Sequence, residues 1–414
     1  MPKPLEDITV LDLTTALAGP FATLVLAGLG ARVIKIENPS RPDACRENSP
    51  YLGRRGATLT KQNDDDVSVS ALNRLRGKLG VTLDLKHPQA REVFRDLVLR
   101  ADMLVENFAL GVLDRLGAGY AAVHEINPRM VYCSITGFGL GAEGSGKASS
   151  KKAMDTIIQA LSGVMMTSGN EGDPPVRLGV PFADLTAPLF GVIGALAALH
   201  RARATGLGQH VDVSMLGAMS ALVAAEPFET LERCGLPQRT GLRMPRLNPF
   251  GVYPTSDGHV AICAYTEPFA RALFQAMGRA ELRDDERFST RDRRVENAGA
   301  LDEIIEEFTR ARTLVETIAT LDRYEVPCGA VRRPEEALRD PRVLDRGATV
   351  PLAHPVYGAV EEVLGVGMPI AFSDASAGFD LPAPGVGQHN DQVYAGLLGY
   401  SASRMEALRT GRVI

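Results

Sequence analysis

Asp184 has the clearest capacity for chemistry in this chain because of its apolar company. It lies in Val180-Pro-Phe-Ala-Asp-Leu-Thr-Ala-Pro-Leu-Phe-Gly191, ahead of a long hydrophobic helical stretch at 189–199. A carboxylate at a helix mouth meets the positive end of the helix dipole and several unpaired backbone N–H groups, which favour its ionised form. An ionised, poorly hydrated carboxylate is a nucleophile. The alternative is a plain helix N-cap, a common post for aspartate.

Other motifs are weaker. Residues 136–147 read Thr-Gly-Phe-Gly-Leu-Gly-Ala-Glu-Gly-Ser-Gly-Lys. Gly139, Gly141 and Gly144 match a dinucleotide fingerprint by letters, but no apolar helix follows to receive a pyrophosphate. Gly141, Gly146 and Lys147 match most of a P-loop, yet Ala148 stands where a hydroxyl should hold magnesium. A flexible glycine loop suits this stretch better than either. His124 reads as a surface or capping histidine, and Asp64-Asp65-Asp66 as a solvated loop. No Ser/His/Asp or Cys/His spacing argues for a hydrolase.

The elements that must position Asp184 alternate between strand and helix. A strand at 8–13, an apolar helix at 21–29 and a strand at 31–37 make a βαβ unit, hence a parallel sheet. A polar excursion follows at 39–70. Further strands are expected at 81–85, 102–106, 130–135 and 209–214, with helices between them. The fold class predicted is α/β, with a large Rossmann-like doubly wound domain over 1–225. From about residue 226 the texture changes to Arg, Gly and Pro, then short strands and charged helices. This predicts a smaller α+β domain over 226–330. Residues 331–414, rich in Pro and Gly, are expected to return to the large domain.

Composition narrows the class. The 414 residues are 45% hydrophobic and 23% charged, as in soluble globular proteins. A net charge of −5 offers nothing to nucleic acid. The five cysteines are scattered, with no metal-binding or disulfide spacing, which fits a reducing cytoplasm. The start lacks a signal-peptide core, and the apolar stretch around 187–199 is too short to span a bilayer. No membrane partner is expected.

Several blocks, in order along nearly the whole chain, resemble the family III coenzyme A transferases, the group that includes formyl-CoA and carnitine-CoA transferases. They include Val10-Leu-Asp-Leu-Thr-Thr-Ala-Leu-Ala-Gly-Pro-Phe-Ala-Thr23, Gly77-Lys78 with Val81-Thr-Leu-Asp-Leu-Lys86, and Ala101-Asp-Met-Leu-Val-Glu-Asn-Phe108. Asn127 to Gly139, the Asp184 segment, Thr205-Gly-Leu-Gly-Gln209 and Pro382 to His389 continue the set. The resemblance implies that Asp184 is the nucleophile, attacking an acyl-CoA thioester. It implies Asp155, Gly137 and Gly139 as supporting residues, with backbone N–H groups stabilising oxyanions. CoA contacts are implied at Lys78, Asn107, Phe108, Arg115 and Lys152. CoA is a substrate, with no permanent cofactor and no metal. The partners implied are an acyl-CoA, a carboxylic acid and a second copy in an interlocked homodimer.

Two departures bear on substrate. Leu17 stands where some members have Gln, and the small domain lacks the glycine-run loop of formyl-CoA transferases. Arg239, Arg243 and Arg246, with Arg177, suggest instead a clamp for a dicarboxylic acid, with succinyl-CoA as donor. The related α-methylacyl-CoA racemases need a histidine before the aspartate. Here Met154 precedes Asp155, which argues against epimerisation. A non-enzymatic α/β scaffold would need no such carboxylate beside an acyl pocket.

Overall fold

Six apolar segments pair into one parallel sheet in the computed structural model, which describes residues 1–141 and 151–414. The strand order is Lys78–Thr82, Arg32–Glu37, Thr9–Leu13, Met103–Glu106, Val131–Thr136, His210–Ser214. Leu11 is fully buried between Ile34 on one neighbouring strand and Leu104 on the other. Such strands, covered on both faces, read as continuous apolar runs. The chain enters the sheet in the middle, builds outward one way, then returns to build the other way. This is the doubly wound order expected of a Rossmann-like fold. The reversal falls between Thr9–Leu13 and Met103–Glu106, where such sheets open a ligand crevice beyond their carboxyl ends.

Helices close the sheet by their apolar faces. Val93, Phe94 and Leu97 of the Ala90–Val98 helix, at helical spacing, bury with Val81, Leu104 and Tyr132. The strand expected at 81–85 runs instead from Lys78 to Thr82. Its first residue is a lysine whose charge is met inside the protein, which a strand pattern does not reveal.

The helix carrying Asp184 also differs from expectation. It spans Phe182–Thr205, 24 residues, with Pro188 inside it. Gly206 at φ +75° ends it, a left-handed stop that glycine takes without penalty. Among the described residues it is long and apolar enough to cross a membrane, contrary to the shorter stretch expected. Half of its most apolar window is nevertheless buried inside the protein. Its small residues Ala183, Ala187, Gly191 and Ala195 form the buried stripe. A Cβ at Gly191 would come within 3.1 Å of Ile135, so the helix lies close on the sheet. This is a core helix.

Contacts divide the chain into two units. The first comprises Met1–Ser162, Leu178–Val223 and Leu338–Ile414, and holds the parallel sheet. The second comprises Gly163–Arg177 and Ala224–Ala337, so Gly163–Arg177 leaves the 1–225 span. The second unit has a three-stranded antiparallel sheet, Phe250–Pro254, His259–Cys263, Cys328–Ala330. Tyr253, Ile262, Phe274, Leu301 and Ile305 form its core with the flanking helices. Gly144, Gly146, Lys147 and Ala148, and with them most of the glycine run, lie outside the described residues.

Candidate active site

Asp184 sits in the first turn of the Phe182–Thr205 helix rather than ahead of it. The capping role falls to another carboxylate, remote in sequence. Asp155 Oδ1 accepts from the backbone N–H of Ala183 at 2.9 Å and of Asp184 at 3.5 Å. Its Oδ2 accepts from the buried Gln159 amide at 2.8 Å, and that amide also reaches the Val180 carbonyl. Asp155 opens its own helix, Asp155–Leu161, but caps its neighbour.

The Asp184 carboxylate is half-buried and has no hydrogen bond or ion pair among the described residues. Burial, with the nearby Asp155 charge, pushes its pKa up to about 6, while Arg74 pulls the other way. The helix end was expected to favour ionisation. That expectation fails locally, because the first N–H groups point at Asp155. Pro188, four residues on, has no N–H to offer the Asp184 carbonyl.

Gly137 lets the Asp155 segment approach. A Cβ there would lie 2.0 Å from that of Ala153, two residues before Asp155. Its carbonyl accepts from Leu216 N at 3.0 Å. Gly139 holds φ +79°, and its N–H donates to Thr136 Oγ1 at 2.9 Å. That donor is therefore engaged and is not free for an oxyanion.

At the sheet's reversal point, Asn107 shapes a loop. Its Oδ1 accepts from Thr15 N at 2.8 Å, and its Nδ2 donates to the Thr15 carbonyl at 2.9 Å. Asp43 Oδ1 accepts from Ala16 N at 2.9 Å, and its other oxygen pairs with Lys35 at 2.8 Å. Asn107 thus holds protein rather than presenting its amide to a ligand.

Lys78 is a clearer correction. It is fully buried, with its ammonium on Asp12 Oδ2 at 2.9 Å, the Pro20 carbonyl at 3.0 Å and Thr23 Oγ1 at 2.7 Å. Burial disfavours the charge on Asp12, but Lys35 and Lys78 beside it outweigh burial and hold its carboxyl far below the usual range. Lys78 has no face left for a phosphate.

Phe108 donates its N–H to Glu106 Oε2 and rests partly on the core. Arg115 is exposed and lines a cleft of about 420 Å³ with Lys86, His87 and Arg91. Lys152 is exposed. Neither residue is brought to Asp184 by a described contact.

The expected arginine clamp dissolves into structure. Arg239 is buried and donates to the carbonyls of Ser168, Asp173 and Pro174. Arg243 pairs with Asp302 and Glu306, and Arg246 with Glu226. Each satisfies its own unit. Sequence reading missed Gln159, which orients Asp155, and Arg74, which acts on Asp184. An Arg in a polar stretch carries no signal of a site until its neighbours are known.

The model of a family described as CoA-transferase family III matches residues 5–390. A succinyl-CoA–D-citramalate CoA-transferase of Chloroflexus aurantiacus is 33% identical over 414 residues, covering 100% of this chain and 98% of that protein. A succinate–glutarate CoA-transferase of Agrobacterium fabrum is 33% identical, covering 95% and 96%. The crystal structure of a CAIB/BAIF family protein from Brucella suis superposes with a TM-score of 0.80 at 32% identity, covering 96% of this chain and 100% of that one.

Proposed function

We propose that this chain, which belongs to CoA-transferase family III, moves coenzyme A from succinyl-CoA to a second carboxylic acid through a covalent intermediate on Asp184. One observation carries the reading. A half-buried carboxylate stands in the first turn of an apolar helix, unpartnered, with the helix donors already taken by Asp155. Poor solvation sharpens its nucleophilicity, and a pKa of about 6 leaves it ionised at neutral pH.

An Asp184 oxygen attacks the thioester carbonyl, the C–S bond breaks, and a mixed anhydride and CoA thiolate form. The thiolate then attacks the Asp184 carbonyl, releasing the donor acid as carboxylate and leaving an aspartyl-CoA thioester. An acceptor carboxylate attacks that thioester and expels the thiolate. The thiolate finally takes the acceptor's carbonyl, freeing Asp184. In a variant order the acceptor attacks the first anhydride. Neither order consumes a proton or calls for a metal or resident cofactor. Asp155 and Gln159 fix the helix end from which Asp184 reaches.

The cleft lined by Lys86, Arg91 and Arg115 suits CoA phosphates, with Lys152 a further exposed cation. The choice of succinyl-CoA and a dicarboxylic acceptor is supported by the two relatives, a succinyl-CoA–D-citramalate and a succinate–glutarate CoA-transferase. Met154, exposed and without a proton-accepting group, leaves the racemase reading without its base. A cytoplasmic setting goes with five free thiols.

The test is a panel of mono- and dicarboxylic acids incubated with succinyl-CoA or acetyl-CoA, with CoA thioesters read by mass spectrometry. New thioesters that require the protein are expected. None from any acid would overturn the reading.

The pH dependence follows from Asp184. The reactive form is the anion, so the rate should fall about tenfold per unit as pH drops below about 6. A rate limb centred near the ordinary value of 3.8 would contradict the burial described.

Self-association is the second expectation. Leu189, Phe190 and Ile193 on the long helix, Leu222 on Met215–Val223, and Ile157 and Leu161 on Asp155–Leu161 are all exposed. We infer that these residues form one face, because the three helices that carry them pack against one another. A face of this kind marks an interface, and a second copy is its proposed occupant. Sedimentation should give twice the 44.3 kDa chain mass, and Ile193→Glu should shift it toward monomer. A wild-type monomer at micromolar concentration would refute the dimer.

A further inference from the structure

A carboxylate in the first turn of a helix ordinarily bends back to the unpaired N–H groups and becomes a cap. A capping carboxylate is hydrogen-bonded and turned inward, which makes it a poor nucleophile. Two features keep Asp184 out of that role. Pro181, at the N-cap of the Phe182–Thr205 helix, has no N–H to offer. The next donors, the N–H groups of Ala183 and Asp184 itself, go to Asp155 Oδ1 at 2.9 and 3.5 Å.

Gln159 holds Asp155 there. It lies one helical turn on in Asp155–Leu161, hence on the same face, and it is fully buried. Its Oε1 accepts from Leu178 N at 3.0 Å. Its Nε2 donates to Asp155 Oδ2 at 2.8 Å and to the Val180 carbonyl at 3.3 Å. Turned over, the amide would set N–H against the Leu178 N–H, and oxygen against the Asp155 carboxylate and the Val180 carbonyl. The contacts therefore admit one orientation. They also admit few residue types. An ionised glutamate would keep the acceptor for Leu178 and bring no donor to Asp155.

We propose that Gln159 is a positioning residue for the nucleophile: its amide pins Asp155 on the helix N–H groups and so keeps Asp184 from capping its own helix. The role rests on the transferase reading above. Without the Gln159 donor, Asp155 is free to swing, the helix donors fall to the Asp184 carboxylate, and attack on the thioester slows. Gln159 has no exposed surface with which to meet a substrate. Its effect therefore falls on the chemical step and not on CoA binding.

The experiment mixes the full chain with succinyl-CoA alone, quenches at set times, and follows the CoA adduct on the Asp184 peptide by mass spectrometry. Gln159→Met keeps the side-chain volume and removes its polar contacts. It should slow adduct formation at saturating succinyl-CoA by about 30-fold, the order expected of a hydrogen bond to a charged group. The half-saturating concentration should stay within about threefold of wild type. The acid limb of the Gln159→Met pH–rate profile should lie about one pH unit below the wild-type limb, because Asp184 gains donors that favour its anion. A purely structural loss would lower the rate without moving that limb. Gln159→Glu retains the Leu178 contact and should be slowed to a similar degree above neutral pH.

A wild-type adduct rate in either variant, a loss confined to the half-saturating concentration, or an unmoved limb would overturn the assignment. Should Gln159→Met fail to fold, Gln159→Glu is read alone, and an undiminished rate there overturns it equally. Failure of the transferase reading itself looks different, since the wild type would then carry no adduct on Asp184 and form no new thioester.

Discussion

Replacing Asp184 by asparagine should cut turnover by about 10⁴-fold, roughly 5.5 kcal/mol of transition-state stabilisation, while making the folded chain more stable at alkaline pH. The first effect follows if every CoA transfer passes through an Asp184 acyl group, since an amide cannot form the anhydride. The second follows from burial. The folded pKa of about 6 exceeds the ordinary 3.8, so the folded state holds its proton more tightly than the unfolded chain does. The cost of ionisation is absent below about pH 4, grows as pH rises to about 6, and is complete above it. Removing the charge should therefore stabilise the protein by about 2 kcal/mol at pH 8, after allowance for part exposure, and by nothing near pH 4. No cap is lost, because Asp155 supplies it. Urea denaturation at the two pH values checks the stability, and steady-state kinetics the rate. A stable variant with wild-type turnover would remove Asp184 from the chemistry.

Lys78→Met should destabilise the fold by about 3 kcal/mol or more, without raising KM for CoA in the molecules that remain folded. The substitution leaves the buried Asp12 carboxylate with Lys35 at 3.5 Å and the hydroxyls of Thr14 and Thr23, but without its closest ammonium. Thr23 and the Pro20 carbonyl, at the start of the helix after the first strand, lose a donor together. Denaturant midpoints measure the loss. A Lys78→Met protein of wild-type stability with KM for CoA raised tenfold would instead return Lys78 to the phosphate-binding role.

Both predictions turn on contacts between residues far apart in the chain, and there the sequence was least legible. The parallel sheet was readable, because each strand carries its own apolar pattern. Thr9–Leu13 and Met103–Glu106 lie within a residue of where they were expected. The site helix was read seven residues too short at its start. Asp184 was weighed as its cap, while the true cap, Asp155, stands 29 residues upstream. Lys78 and the three arginines of the second unit show the same limit. They were expected to bind anions, but Asp12 answers Lys78, Asp302 and Glu306 answer Arg243, Glu226 answers Arg246, and the backbone carbonyls of Ser168, Asp173 and Pro174 take up Arg239, all from distant segments. Asp184 itself stood out only through its apolar flanks and the ordered family blocks around it. Arg74 gave no local signal, since its meaning depends on the Ala16 carbonyl 58 residues away.

The most direct test of the central claim is to mix the protein with succinyl-CoA alone, quench rapidly, and digest for peptide mass spectrometry. The account predicts a CoA thioester on the peptide containing Asp184, converted to a hydroxamate by hydroxylamine and discharged by glutarate within one turnover. Transfer that proceeds with no adduct, or with the adduct on another residue, would contradict it.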